Sequence, residues 1–201
     1  HRAAVPRQVV SDDAGGEPLD HELARVSSDV RFNGGGHTSQ LVIERLAARV
    51  IGYDLTRHGG AMSYPERARR GPVAFITNEQ AGSDGDIVNA AVQELGLGPV
   101  IGMRTWGGVV GIDGRFDLVD GTGITQPRYS FWFEKHGWGV ENHGVDPDIE
   151  VEHDPGQIFR DDDPQLDAAI AWSLAQLERT PAVTPPALPE PKVRPPRSSP
   201  A

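Results

Sequence analysis

The 201 residues carry a formal net charge of −10, with 37% hydrophobic and 24% charged residues, the balance of a globular chain that buries a core. Residues 181–201 hold Lys192, Arg194 and Arg197 against Glu190, so the rest is more acidic still; this argues against nucleic acid or an anionic membrane as partner and leaves cationic peptides open. The absence of cysteine excludes disulfides, thiolate nucleophiles and thiolate metal sites, and no apolar run reaches the ~18 residues of a membrane span.

Residues 1–28 are polar and read as an irregular lead-in, without the basic-then-apolar pattern of a signal peptide, so the expected compartment is the cytoplasm. A short strand around Val30 and Phe32 runs into Asn33-Gly34-Gly35-Gly36, after which Leu41, Val42, Leu46, Ala47 and Val50 recur at helical spacing. The order repeats. Residues 72–77 are strand-like, Asn78 to Gly82 break the strand, and Ser83-Asp84-Gly85-Asp86 opens a helix whose Ile87, Val88, Ala91, Val92 and Leu95 face the core before Gly96 stops it. A third strand, residues 99–101, follows at once.

Two strand-turn-helix units in succession predict an α/β fold with parallel strands, right-handed crossovers and both glycine turns at the carboxyl edge of the sheet, where ligands bind in such folds. Further on, Gly-rich turns separate short strands expected at residues 116–119, 129–133 and 149–151. A closing helix is signalled by Asp163 as N-cap, Pro164 at its first position, and Leu166, Ile170, Leu174 and Leu177 on one face. Eight prolines in residues 181–201 predict a disordered or polyproline-like tail from residue 180 onward.

Chemistry concentrates at the two turns. Ser83 fits a capping box with Asp86, but it also stands where a tight strand-to-helix turn holds a hydroxyl clear of the sheet within the positive field of a helix N-terminus. Gly82 and Gly85 clear side chains from both sides, as a closely approaching substrate backbone requires, although the G-x-S-x-G spacing of a nucleophile elbow is absent. Gly34-Gly35-Gly36 lacks the lysine of a phosphate loop and the dinucleotide spacing, which leaves an oxyanion hole or a plain turn. His136, His143 and His153 lack the helical pairing of a zinc protease, so neither metal nor other cofactor is expected, and Asp161-Asp162-Asp163 reads as a helix-leading acidic turn.

Asp29-Val30-Arg31-Phe32-Asn33-Gly34-Gly35-Gly36, Ile76-Thr77-Asn78-Glu79 with Ala81-Gly82-Ser83-Asp84-Gly85-Asp86, Arg104-Thr105-Trp106-Gly107-Gly108 and Gly139-Val140-Glu141-Asn142 together resemble the catalytic core of the tricorn protease family, from about Asp29 to Leu177. These are serine peptidases related to the tail-specific, carboxyl-terminal-processing enzymes. The resemblance implies a Clp/crotonase-like α/β core over residues 29–179 and hydrolysis of oligopeptides through an acyl-enzyme on Ser83. It further implies an oxyanion hole from the N–H groups of Gly36 and Asp84, Glu141 as distal carboxylate of a Ser-His-Ser-Glu tetrad, and Asp54 at the base of a specificity pocket for Lys or Arg, reached from a symmetry-related subunit of a homo-oligomer. In the family the tetrad's histidine and its serine partner lie in an upstream subdomain that is not recognisable in these residues, and His37 does not match that base. The chain is therefore expected to be a fragment or a partner-dependent half-enzyme. The rival expectations are a non-catalytic, peptide-binding remnant of the same fold and, on fold analogy alone, an acyl-CoA binder, for which no phosphate-binding residues are found.

Overall fold

The computed structural model describes residues 27–56, 60–158, 160 and 162–189. The lead-in at residues 1–26, Asp161 of the acidic turn and the tail from residue 190 lie outside the described residues. The chain runs β1 (Ser27–Asp29), α1 (Ser39–Ala47), β2 (Gly52–Thr56), β3 (Gly60–Tyr64), β4 (Ala74–Thr77), α2 (Asp84–Leu95), β5 (Val100–Gly102), β6 (Gly111–Asp113), β7 (Gln126–Tyr129), β8 (Ile149–Glu150), α3 (Pro155–Ile158) and α4 (Pro164–Arg179).

Four strands form one parallel sheet in the order β1-β4-β5-β8, with Ser27 opposite Ala74, Phe75 opposite Val100 and Ile101 opposite Ile149. Successive side chains of a strand point to opposite faces, and both faces are covered here, which is why residues 73–76 form an unbroken apolar run. Val73, Phe75 and Val100 pack with Leu46, Val92 and Leu97 under α1 and α2. Ala74, Ile76 and Ile101 meet Ala169 and Trp172 of α4 on the other side. Phe75, Ile76 and Ile101 are fully buried; each side chain stabilises the fold by about 1.5–3 kcal/mol. The helix–sheet–helix layering agrees with the α/β fold expected from the sequence.

Helix α2 ends as its sequence predicts: Gly96 is left-handed (φ 60°, ψ 40°) and the Leu97 N–H donates to Val92 O at 3.0 Å. Helix α4 starts as expected, the Asp163 carboxylate accepting from the Leu166 N–H at 2.9 Å. Its inward face differs from the expectation. Gln165, Ala169 and Ser173 face the sheet, while Ile170 and Leu174 are 38% and 53% exposed. The reason is a polar anchor at its first turn. Arg31 Nη2, just beyond β1, bonds Asp29 Oδ2 and Asp163 Oδ2 at 2.7 Å each, its Nη1 donates to Gln165 Oε1 at 3.2 Å, and Gln165 Nε2 donates to Val151 O at 2.9 Å. A buried guanidinium without those partners would cost far more than two surface leucine-type side chains gain by burial, so the anchor sets the rotation of the helix.

Other expectations are corrected in detail. Helix α1 stops at Ala47, leaving Val50 outside it, Leu41 lies on its exposed face, and Leu95 is exposed rather than core-facing. Residues 116–119 hold an isolated bridge, Asp117 to Gly123, rather than a strand, and lead into a turn at residues 119–120 where the Leu118 N–H donates to Thr122 O at 2.9 Å. The strand expected at 129–133 ends at Tyr129, and Phe133 makes an isolated bridge to Gly137. Two antiparallel hairpins, β2–β3 and β6–β7, were not foreseen. In the tail region, the Val183 N–H donates to Arg70 O at 2.9 Å. Among the described residues no helix is long and apolar enough to cross a membrane.

Candidate active site

Strand β4 delivers the chain to the carboxyl edge, and residues 78–83 fold into a turn closed by the Ala81 N–H on Asn78 O at 2.9 Å. Asn78 also takes the Phe32 N–H on its side-chain oxygen at 3.1 Å, and the Gly82 N–H donates to Asn33 O at 2.9 Å, so the turns after β1 and β4 are tied together. Ser83 ends this turn at φ 55°, ψ −111°, a backbone region that non-glycine residues rarely occupy and whose strain costs about 1–3 kcal/mol. Ser83 is partly exposed. Close approach explains its glycine neighbours: a Cβ on Gly85 would overlap Asn33 O, and one on Gly82 would lie 2.8 Å from the Trp106 ring.

Gly35 and Gly36 have φ of 126° and 140°. A Cβ built on Gly35 would stand 3.2 Å from Ser83 Cβ and 3.6 Å from its Oγ, and one on Gly36 would stand 4.0 Å from Asp84 Oδ2. The fold thus brings Ser83, Asp84 and the glycine turn to one place, from positions nearly fifty residues apart.

Asp86 holds the strained serine. Its Oδ2 accepts from the Ser83 N–H at 2.7 Å and the Gly108 N–H at 3.0 Å, and its Oδ1 from the Gly107 N–H at 2.8 Å and from the Thr105 hydroxyl. With no exposed surface, this carboxylate joins the helix cap to the loop at residues 105–108. Beyond that loop, Glu141 Oε2 accepts from the N–H groups of Val109 at 2.7 Å and Val110 at 2.9 Å, while the Asn142 N–H donates to Gly107 O at 2.8 Å. Glu141 is connected to Ser83 through this loop rather than by contact. A cleft of about 310 Å³ beside the loop is lined by Glu79, Arg104, Thr105, Trp106, Asn142 and His143.

The remaining candidates lie elsewhere. Asp54 is exposed on β2 opposite Met62, in a hairpin with its own two-stranded sheet. His37 is exposed on the connection into α1. His136 pairs with Glu94 at 2.7 Å, His143 with Asp146 at 2.8 Å, and His153 with Asp162 O at 3.0 Å, so the three histidines have separate partners. No group of three or more metal-ligating side chains occurs among the described residues. Burial pushes the Glu94 carboxyl up, but the His136 ring and the N–H groups of Lys135 and His136 hold it below its ordinary value. Asp163 behaves likewise: partial burial opposes its charge, and Arg31 with the Leu166 N–H outweighs that. Burial also opposes the Arg31 charge, and Asp29 and Asp163 overcome it, raising the guanidinium above its ordinary range.

Sequence reasoning foresaw Asp86 as a capping partner but not its reach to residues 105–108, nor the Asp84 carboxylate, which accepts from the Thr38 and Ser39 N–H groups at 2.9 and 2.8 Å. The available signal is the presence of two acids, two positions apart, in a segment cleared by glycines.

Fold and matched residues define the class: the chain belongs to peptidase family S41, whose model matches residues 28–151. Within that family it is similar to Tricorn protease homolog 1 of Streptomyces coelicolor, 65% identical over 161 residues that make up 80% of this chain and 15% of that protein. It is also similar to Tricorn protease of Thermoplasma acidophilum, 56% identical over 149 residues, 74% of this chain and 14% of that protein. The crystal structure of the tricorn protease superposes with a TM-score of 0.72 at 53% identity, covering 76% of this chain and 15% of that one. The chain therefore spans about a seventh of the length of these relatives.

Proposed function

We propose that these residues form the nucleophile-bearing subdomain of a tricorn-type serine peptidase. Ser83 Oγ attacks the scissile carbonyl carbon, and its proton passes to a general-base histidine supplied from outside the described residues. The tetrahedral oxyanion is received by the N–H groups of Gly36 and Asp84. When the C–N bond breaks, the amine leaves with the proton, and water then hydrolyses the Ser83 ester to release the acid. Glu141 keeps one oxygen on the N–H groups of Val109 and Val110, and its other oxygen serves the orienting chain of the tetrad.

The observation that carries this reading is the approach of Gly35 to the strained Ser83, which puts a ready-made amide turn beside a hydroxyl at the positive end of α2. A serine hydroxyl is a weak nucleophile at neutral pH without a base, so full activity requires the histidine-bearing region. Substrates are oligopeptides, and Asp54 from a symmetry-related copy in a homo-oligomer selects Lys or Arg before the cut. The acidic net charge of −10 favours such peptides at long range.

A fluorophosphonate probe tests the nucleophile. Labelling of the complete enzyme is expected and should vanish in Ser83→Ala; a folded, complete protein that neither labels nor cleaves peptides points instead to a non-catalytic, peptide-binding scaffold. Asp54→Asn should weaken the preference for basic residues, and an enzyme that never shows this preference removes Asp54 from the pocket.

A further inference from the structure

The Asp84 carboxylate lies between two helix beginnings. Asp84 is the first residue of α2 and 1% exposed. Its Oδ2 accepts from the Thr38 N–H at 2.9 Å, the Ser39 N–H at 2.8 Å and the Thr38 hydroxyl at 3.3 Å, all at the start of α1. A helix begins with unpaired N–H groups and a partial positive charge, normally met by a side chain of its own N-cap. The N-cap of α1, Thr38, makes no such bond. Helix α1 is capped instead by a residue 46 positions away, and one negative charge serves the positive ends of both helices.

The glycine turn at residues 34–36 is therefore held at both ends. At its entry, Asn33 O accepts the Gly82 N–H at 2.9 Å, a bond between backbones. At its exit, Thr38 is held by Asp84 Oδ2, a bond that depends on a side chain. The turn itself is exposed and its glycines have wide conformational freedom. We infer that Asp84 is a positioning residue: its carboxylate sets the distance between the Gly36 N–H and Ser83, while its own backbone N–H supplies the second oxyanion donor. This rests on the peptidase reading above and deepens it. One residue contributes a donor through its main chain and aims the other donor through its side chain, so hydroxyl and amide turn keep register as a unit.

The test uses the complete enzyme with Asp84→Ala and Asp84→Asn. An oxyanion donor displaced by ~1 Å costs on the order of 10²-fold in rate. Asp84→Ala is expected to lower kcat by about that factor with KM within about threefold, and to weaken a peptidyl boronate, which forms a tetrahedral adduct on the serine, in parallel with kcat/KM. Asp84→Asn keeps the shape and one acceptor oxygen, so it should recover at least tenfold of that loss while amide hydrogen exchange at Thr38 and Ser39 stays close to wild type. Wild-type kcat and boronate affinity in Asp84→Ala overturn the inference, as does a fall confined to KM. If Asp84→Ala does not fold, Asp84→Asn decides: faster exchange at Thr38 and Ser39 with unchanged kcat and boronate affinity overturns it, and loss of boronate affinity in step with faster exchange supports it. A wild-type enzyme that neither labels on Ser83 nor turns over sinks the peptidase reading itself, an outcome distinct from an active enzyme indifferent to Asp84.

Discussion

The two strand-turn-helix units at the carboxyl edge share a plan and differ in how they are held. The second, β4 to α2, carries its own cap and stop: Asn78, Ala81 and Gly82 of its turn are buried, Asp86 accepts the Ser83 N–H, and Gly96 ends its helix. The first, β1 to α1, is exposed at its glycines and begins its helix on Asp84, a residue of the second unit. Order therefore passes from the serine turn to the glycine turn. Loss of the Asp84 carboxylate in the second unit should reach the first, whereas a side chain added at Gly34, which meets nothing within 4 Å, should stay local.

The largest break of this asymmetry is Asp86→Ala, which strands four donors at Ser83, Thr105, Gly107 and Gly108. A loss of about 3–5 kcal/mol in urea unfolding is expected; a loss under ~1 kcal/mol means the loop at residues 105–108 holds its shape without the carboxylate. Next, alanine at two glycines should separate the units. Gly85→Ala overlaps Asn33 O and should cost about 1–3 kcal/mol, while Gly34→Ala meets nothing within 4 Å and should stay within about 0.5 kcal/mol. Equal melting temperatures for the two variants contradict the close approach.

Glu141→Gln keeps an acceptor for Val109 and Val110 but removes the charge. In the complete enzyme turnover should drop about tenfold, or ~1.4 kcal/mol, with no change in melting temperature; unchanged turnover takes Glu141 out of the site. The smallest effect concerns the strand of the first unit, which Arg31 pins to α4. Asp163 has its carboxyl pKa depressed below the ordinary 3.8, so its contribution to stability is present above that value and is lost as pH falls through the lower folded value. Urea midpoints followed from about pH 5 to about pH 2 should fall less steeply in Asp163→Asn than in wild type. Parallel curves would show that Arg31 does not depress this group.

Much of this contrast is legible in the amino-acid sequence. The run at residues 72–77, the glycines at 34–36 and the spacing of Ser83 and Asp86 placed the central strand, both turns and the cap correctly, because each is a local preference written within a few residues. The hairpins are not legible in the sequence because β2 and β6 lack a clean alternation and are held by their partner strands. The inward face of α4 is not the one its hydrophobic spacing at Ile170 and Leu174 favours, because a guanidinium 132 residues upstream sets the rotation.

Local preference was enough to specify where the chain bends at the sheet edge and which residue types stand at each bend, since backbone freedom at glycine and capping at Asp86 act over a few bonds. The meeting of those bends was settled by folding. The two acids at 84 and 86 mark that something is held there, but neither the reach of Asp84 to Thr38 nor the grip of Asp86 on Gly107 is named by the neighbouring residues, because a hydrogen bond across 46 or 21 positions exists only once the sheet has brought both partners to the same edge.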